Sequence, residues 1–235
     1  MTFVPGDTLS DLARAGRLDN SAVAGELGRL LRRLHGIRLD GFGFIDTDQL
    51  RRDGQLIGLH QRYEDFFRCR LDTHLDYVTH HGLLAPGIAA EAYALVTELL
   101  PRHVPRQACL VHRDPAWWNL IGTTTRIAAL VDWDDAVAGD PADDLAMLRC
   151  FHDADYCTAV ETAYWDGQTP DADFPVRIAL HWFRNMLWKA MLRHQLGYFR
   201  PGAAAFLNAL CADCSLEART RELLDQSINA LRRTA

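Results

Sequence analysis

The sequence predicts an α+β fold that is mostly α, with a small antiparallel β element near its middle. Three observations lead there. Apolar residues recur at helical spacing in both halves of the chain, the period shifts to strand-length runs between residues 108 and 131, and no linker, repeat or low-complexity tract interrupts the 235 residues. A single domain over 1–235 is the simplest organisation.

Taken in order, Thr2-Phe3-Val4 is a short extended stretch closed by Pro5-Gly6. From Asp19 or Asn20, each a suitable N-cap, Val23, Leu27, Leu30, Leu31 and Leu34 predict an amphipathic helix that Gly36 ends. Helices follow over 59–81 and over 89–100, the latter stopped by Pro101. Residues 41–46, with Gly41 and Gly43, lack the third glycine and the preceding strand of a nucleotide loop and read as a turn. The runs 108–111, 120–121 and 127–131 have strand length, and residues 122–126 join the last two tightly. After Pro141 the pattern is helical again, over 143–152, 156–165, 176–196 and 216–232.

Composition removes several classes of function. A formal net charge of −6 leaves no basic surface for nucleic acid and gives small cationic partners a mild long-range preference. No stretch has the form of a signal peptide or the roughly 18 uninterrupted apolar residues of a membrane helix, so a cytoplasmic protein with no membrane partner is expected. The six cysteines are too scattered for a disulfide framework and read as reduced core thiols. Cys211 and Cys214 form a lone C-x-x-C without a preceding strand or a second pair, which points away from a metal or redox site. Nearly all basic residues are arginine, and Lys189 is the only lysine.

The chemistry concentrates in 108–146. Leu110-Val111-His112-Arg113-Asp114 is an apolar strand running into H-x-D, Asn119 stands five residues after the Asp, and a second apolar strand ends at Val131-Asp132-Trp133. Phosphoryl transfer from a nucleotide needs one carboxylate to orient the acceptor hydroxyl and take its proton. It also needs amide and carboxylate oxygens to hold the magnesium that neutralises the phosphates. Asp114 suits the first role, and Asn119 and Asp132 the second. The spacing and order are those of the protein-kinase catalytic loop and the Asp that follows it. His112 is expected to hydrogen-bond backbone and hold the loop. Asp140 and Asp144 are expected to brace the turn after Asp132, and Asp134, Asp135 and Asp143 to be solvated. Trp117, Trp118, Trp182 and Trp188 could line an acceptor site or a core, with core packing favoured for the last two. His181, Arg184, Asn185 and Lys189 share a helical spacing that leaves solvent and acceptor pocket equally open.

The continuation from Asp132-Trp133 through Gly139-Asp140-Pro141 to Asp144-Leu145-Ala146 resembles the D-W-x-x-A-x-x-G-D-P-x-x-D-L-A signature of the aminoglycoside phosphotransferase family, which includes choline-kinase-like enzymes. More loosely, residues 3–6 resemble its interlobe hinge, and Leu31-Arg32-Arg33-Leu34-His35 its L-x-x-L-H helix. The resemblance implies a protein-kinase-like C-terminal lobe with Asp114 as catalytic base, Asn119 and Asp132 on magnesium, and Phe3 and Val4 in the hinge beside ATP or GTP. It also implies a small-molecule hydroxyl acceptor. Arg113, where the family usually carries Gly, and Pro115-Ala116-Trp117-Trp118 depart from the pattern.

The family's nucleotide-covering loop and strand lysine have no counterpart here, so the N-terminal lobe is expected to be absent and to come from a partner or an upstream segment. Lys189 is a poor substitute. The expected function is ATP- or GTP-dependent O-phosphotransfer. The alternative is a non-catalytic relic that binds a ligand or a protein.

Overall fold

The computed structural model describes residues 4–203, 207 and 214–235. Helices dominate: α1 (Leu9–Arg14), α2 (Asn20–Leu34), α3 (Thr47–Asp53), α4 (Tyr63–Arg68), α5 (Leu71–His80), α6 (Pro86–Leu99), α7 (Ala142–Leu148), α8 (Ala154–Trp165), α9 (Phe174–Gln195) and α10 (Leu216–Arg232). The Asp19 side chain caps α2 by accepting from the Ala22 N–H, as its position predicts. One large apolar core, formed mainly between these helices, carries most of the buried leucine, valine and phenylalanine.

The β structure is more extensive than the sequence predicts. Eight short strands are described: β1 (Asp7–Thr8), β2 (Arg38–Leu39), β3 (Phe42–Ile45), β4 (Gly58–His60), β5 (Ala108–Val111), β6 (Leu120–Gly122), β7 (Ile127–Leu130) and β8 (Val137–Gly139). They form two antiparallel sheets, ordered β1-β6-β7 and β2-β5-β8-β3-β4. Residues 42–45, expected in a turn, are therefore an inner strand. Gly43, at φ 93°, lets that strand pass the rings of His60 and Phe66, which an added Cβ would meet at 2.8 and 2.9 Å.

The single helix expected over 59–81 is likewise three elements, β4, α4 and α5, because Arg70 turns the chain through a left-handed conformation (φ 63°). The helices predicted over 89–100, 143–152, 156–165 and 176–196 are present with shifted ends. That over 216–232 has its predicted bounds.

Two connections link the sheets. Residues 112–119 lead from β5 to β6, and residues 131–136 lead from β7 to β8. Val111 pairs with Val137 and Leu120 with Leu130, so the two connections run side by side. The residues singled out for chemistry lie on them.

Candidate active site

The connection 112–119 is fastened at several points. The buried carboxylate of Asp144, on α7, accepts from the backbone N–H groups of His112 (3.0 Å) and Arg113 (2.6 Å). His35, just past α2, donates through Nε2 to the same carboxylate at 3.0 Å, and its Nδ1 pairs with the Tyr164 hydroxyl. Asp140 accepts from the Ala142 N–H at 3.0 Å. Both aspartates thus brace the turn as the sequence predicts.

His112 is wholly buried and ties the two connections together. Its Nδ1 accepts from the Asp114 N–H at 3.2 Å, which leaves Nε2 to donate to the Val131 carbonyl at 3.0 Å. This is the loop-holding role expected of it.

Asp114 is half-buried and closely held. Lys189 Nζ lies 3.1 Å from Oδ1, while Trp118 Nε1 (3.2 Å) and Asn119 Nδ2 (3.0 Å) donate to Oδ2. Asn119 Nδ2 also lies 3.0 Å from the Asp114 carbonyl. A carboxylate offers about four lone-pair sites, so three donors fix its orientation and leave one site for a further donor. Its side chain is 16% exposed, so that site is reachable.

The Asn119 carbonyl accepts from the Val131 N–H at 2.9 Å, which places the exposed Asp132 one residue from that pairing. Asp132 has φ 65° and Arg113 φ 68°. Left-handed conformations at non-glycine residues collect at functional sites, where surrounding structure holds them. Among the described residues no cluster of three or more His, Cys, Asp or Glu side chains could hold a metal. Magnesium asks for less. It keeps several waters and takes one or two carboxylates together with phosphate oxygens, and the hard oxygens of Asn119 and Asp132 suit it. Val4 is half-buried just before β1, and Phe3 lies outside the described residues.

The surroundings of the polar residues of α9 are what the sequence left open. Helix α9 carries a polar stripe at four-residue spacing, Arg177, His181, Asn185, Lys189 and Arg193, and each of these side chains is buried. Arg177 Nε reaches Asp140 at 2.8 Å, His181 Nδ1 reaches Asp143 at 3.3 Å, and Asn185 Nδ2 reaches Asp143 at 2.8 Å. Lys189 extends the stripe to Asp114. The stripe faces the acidic turn and Asp114, so neither solvent nor an open pocket surrounds it.

Asp143, expected to be solvated, is wholly buried and also meets Arg113 (3.3 Å) and Arg184 (3.9 Å). Burial acts to raise its carboxyl, but His181, Arg113 and Arg184 overcome this and hold it well below the usual range. Burial likewise opposes the charged form of His181, yet Asp143 and Asp140 prevail and raise it.

The tryptophans divide. Trp118 binds Asp114 and packs on Phe151, Trp117 donates to the Tyr156 hydroxyl at 2.9 Å, and Trp182 is in the core. Cys109, Cys150 and Cys157 are free and buried, with burial pushing the latter two thiols up to about 12. Cys214 is exposed, and Cys211 lies outside the described residues. A large cleft of about 460 Å³, lined by α8, α9 and the end of α10, lies apart from this site, and none of Asp114, Asn119 and Asp132 lines it.

Two sheets bridged by the connections that carry Asp114 and Asp132, with helices packed behind, define a kinase-like fold. A model of the phosphotransferase enzyme family matches residues 1–179, and the chain belongs to that family. A candidate fructosamine-3-kinase of Thermobifida fusca superposes with a TM-score of 0.61 at 19% identity, over 99% of this chain and 69% of that one. The aminoglycoside phosphotransferase APH(4)-Ia, in a ternary complex with AMP-PNP and hygromycin B, gives 0.61 at 21% identity, over 96% and 69%. A choline/ethanolamine kinase family protein of Mesorhizobium loti gives 0.58 at 20% identity, over 98% and 71%. No curated protein sequence matches the chain.

Proposed function

We propose that this chain is the catalytic part of a magnesium-dependent O-phosphotransferase that moves the γ-phosphoryl group of ATP or GTP to a hydroxyl of a small molecule. The observation that carries the reading is Asp114, whose two oxygens are fixed by Lys189, Trp118 and Asn119 with one acceptor site to spare. The acceptor hydroxyl donates to that site, and Asp114 takes its proton as the oxygen bonds to the γ-phosphorus and the bond to the departing diphosphate breaks. Asn119 and Asp132 would hold magnesium, which neutralises charge on the phosphates when bound. His112 and Asp144 keep the base loop in register with the strand leading to Asp132.

Val4, with Phe3, would lie against the nucleotide base at the hinge. Lys189, the only lysine, is engaged with Asp114, so no lysine is left for the α- and β-phosphates. The 235 residues therefore correspond to a C-terminal lobe that grips nucleotide weakly, and a covering lobe would come from a partner or an upstream segment. The test is transfer of labelled γ-phosphate from millimolar ATP or GTP to a panel of hydroxylated small molecules across a magnesium titration, with Asp132→Asn alongside. Magnesium-dependent product, with the magnesium requirement raised in the variant, is expected. No transfer from either nucleotide would favour a non-catalytic binding protein instead.

A further inference from the structure

A small cleft of about 70 Å³ lies beside the base loop. Arg70, Arg113, Arg184, His74 and one acid, Asp135, supply its charged and polar lining, and Phe44 and Trp188 are aromatic walls. The Trp188 ring has Arg113 Cζ 5.3 Å from its centroid and Lys189 Nζ 4.3 Å from it, so a single indole contacts both a cleft cation and the cation on Asp114.

Three features make this more than a basic patch. First, two of the four described non-glycine residues with positive φ, Arg70 and Arg113, line it. The left-handed region favours glycine, and the sequence carries arginine at both positions. Second, Arg113 and Arg184 are each only 6% exposed, and Arg113 Nε and Arg184 Nη1 are turned toward the buried acidic turn rather than to solvent. Both lean on one carboxylate, Asp143, which His181 and Asn185 also occupy. Third, the cleft is electropositive despite Asp135 on its lining. Burial and the charges of Arg184, Arg70 and Arg113 push His74 down to about 4, and burial with Arg113 brings Arg184 down to about 10.

We propose that this cleft binds a carboxylate or phosphate group, and that the group belongs to the acceptor whose hydroxyl Asp114 deprotonates. The assignment of the group to the acceptor rests on the phosphotransferase reading; the anion site itself does not. Guanidinium forks bind such oxyanions with directed, charge-assisted hydrogen bonds, and the small volume admits the anionic group rather than a whole sugar. Local charge thus selects anionic hydroxy compounds, although the net charge of the chain is −6.

Calorimetry without magnesium or nucleotide tests the site directly, titrating inorganic phosphate and glycerol 3-phosphate, with glycerol as the neutral control, at constant ionic strength. Both anions are expected to bind and glycerol not to. Arg184→Met and Arg70→Gln should each weaken phosphate at least about tenfold, and Arg29→Gln, on the exposed face of α2, should leave it unchanged. Arg70 is exposed, so its variant keeps the test sound if Arg184→Met misfolds. Absence of binding, or affinity indifferent to Arg70→Gln, overturns the site. A second arm follows phosphoryl transfer: inhibition by phosphate that competes with the acceptor supports the acceptor assignment, and inhibition that acceptor cannot relieve overturns it. Anion binding without transfer would count against the phosphotransferase reading alone, and transfer without anion binding against the cleft alone.

Discussion

Asp114 receives one donor from α9 and two from its own loop, and this division sets what single substitutions do. Lys189→Met removes the donor on Oδ1 and frees the carboxylate to rotate, so turnover is expected to fall about 10- to 100-fold, the scale of a mispositioned catalytic group, with nucleotide KM little changed. Lys189→Arg, which keeps a cation there, should recover part of the loss. Equal changes in turnover and nucleotide KM would contradict a positioning role. Asp114, Asn119 and Asp132 could be singled out from sequence because they stand at fixed spacing on consecutive segments. Lys189 and Asp143 were not, because their partners lie 75 and about 40 residues away and only folding brings them together.

Helix α9 shows why the reading failed at the scale of an element. A stripe of Arg, His, Asn and Lys on a long helix ordinarily faces water, and the acids it meets, Asp140, Asp143 and Asp114, reverse that expectation. Asp143 is their shared partner, so Asp143→Ala should strand Arg113, Arg184 and His181 and destabilise the fold by about 3–5 kcal/mol in urea denaturation. A loss near zero would mean that Asp140 alone compensates them. Packing between α2 and α8 gives a second test. Gly28 sits where an added Cβ would lie 2.3 Å from the Val160 carbonyl and 2.8 Å from Ala163 Cβ. Gly28→Ala must push these helices apart and should cost about 1–3 kcal/mol, although alanine is the better helix former. The longer helices were legible from periodicity, whereas the short α1 and α3 and the break between α4 and α5 were not, and strands of two to four residues are too short to show alternation.

Across the whole molecule, the half-buried His74 and His152 and the wholly buried His181 set the pH dependence of stability. Burial pushes His74 down to about 4 and His152 to about 3, so both remain neutral in the folded state while their unfolded counterparts protonate below about pH 6.5. Stability should therefore fall as pH drops from about 6.5 toward 4. His181 is raised, so its contribution is complete below about pH 6.5 and is lost as pH rises through its folded value. Urea midpoints across pH should peak near neutrality, and midpoints that rise steadily into acid would contradict these assignments. The order of the two segments, 112–119 after one strand and 131–136 after another, was legible as a motif, and the family match over residues 1–179 covers it, but the two sheets that the segments join were not legible. What the motif could not supply was the packing that aims Asp114. The most direct measurement compares wild type with Asp114→Asn for γ-phosphoryl transfer and for nucleotide affinity in the same preparation. Loss of about 10²- to 10⁴-fold in transfer with affinity nearly unchanged is the expected result, and an Asp114→Asn protein that transfers phosphate at the wild-type rate would contradict the assignment of the base.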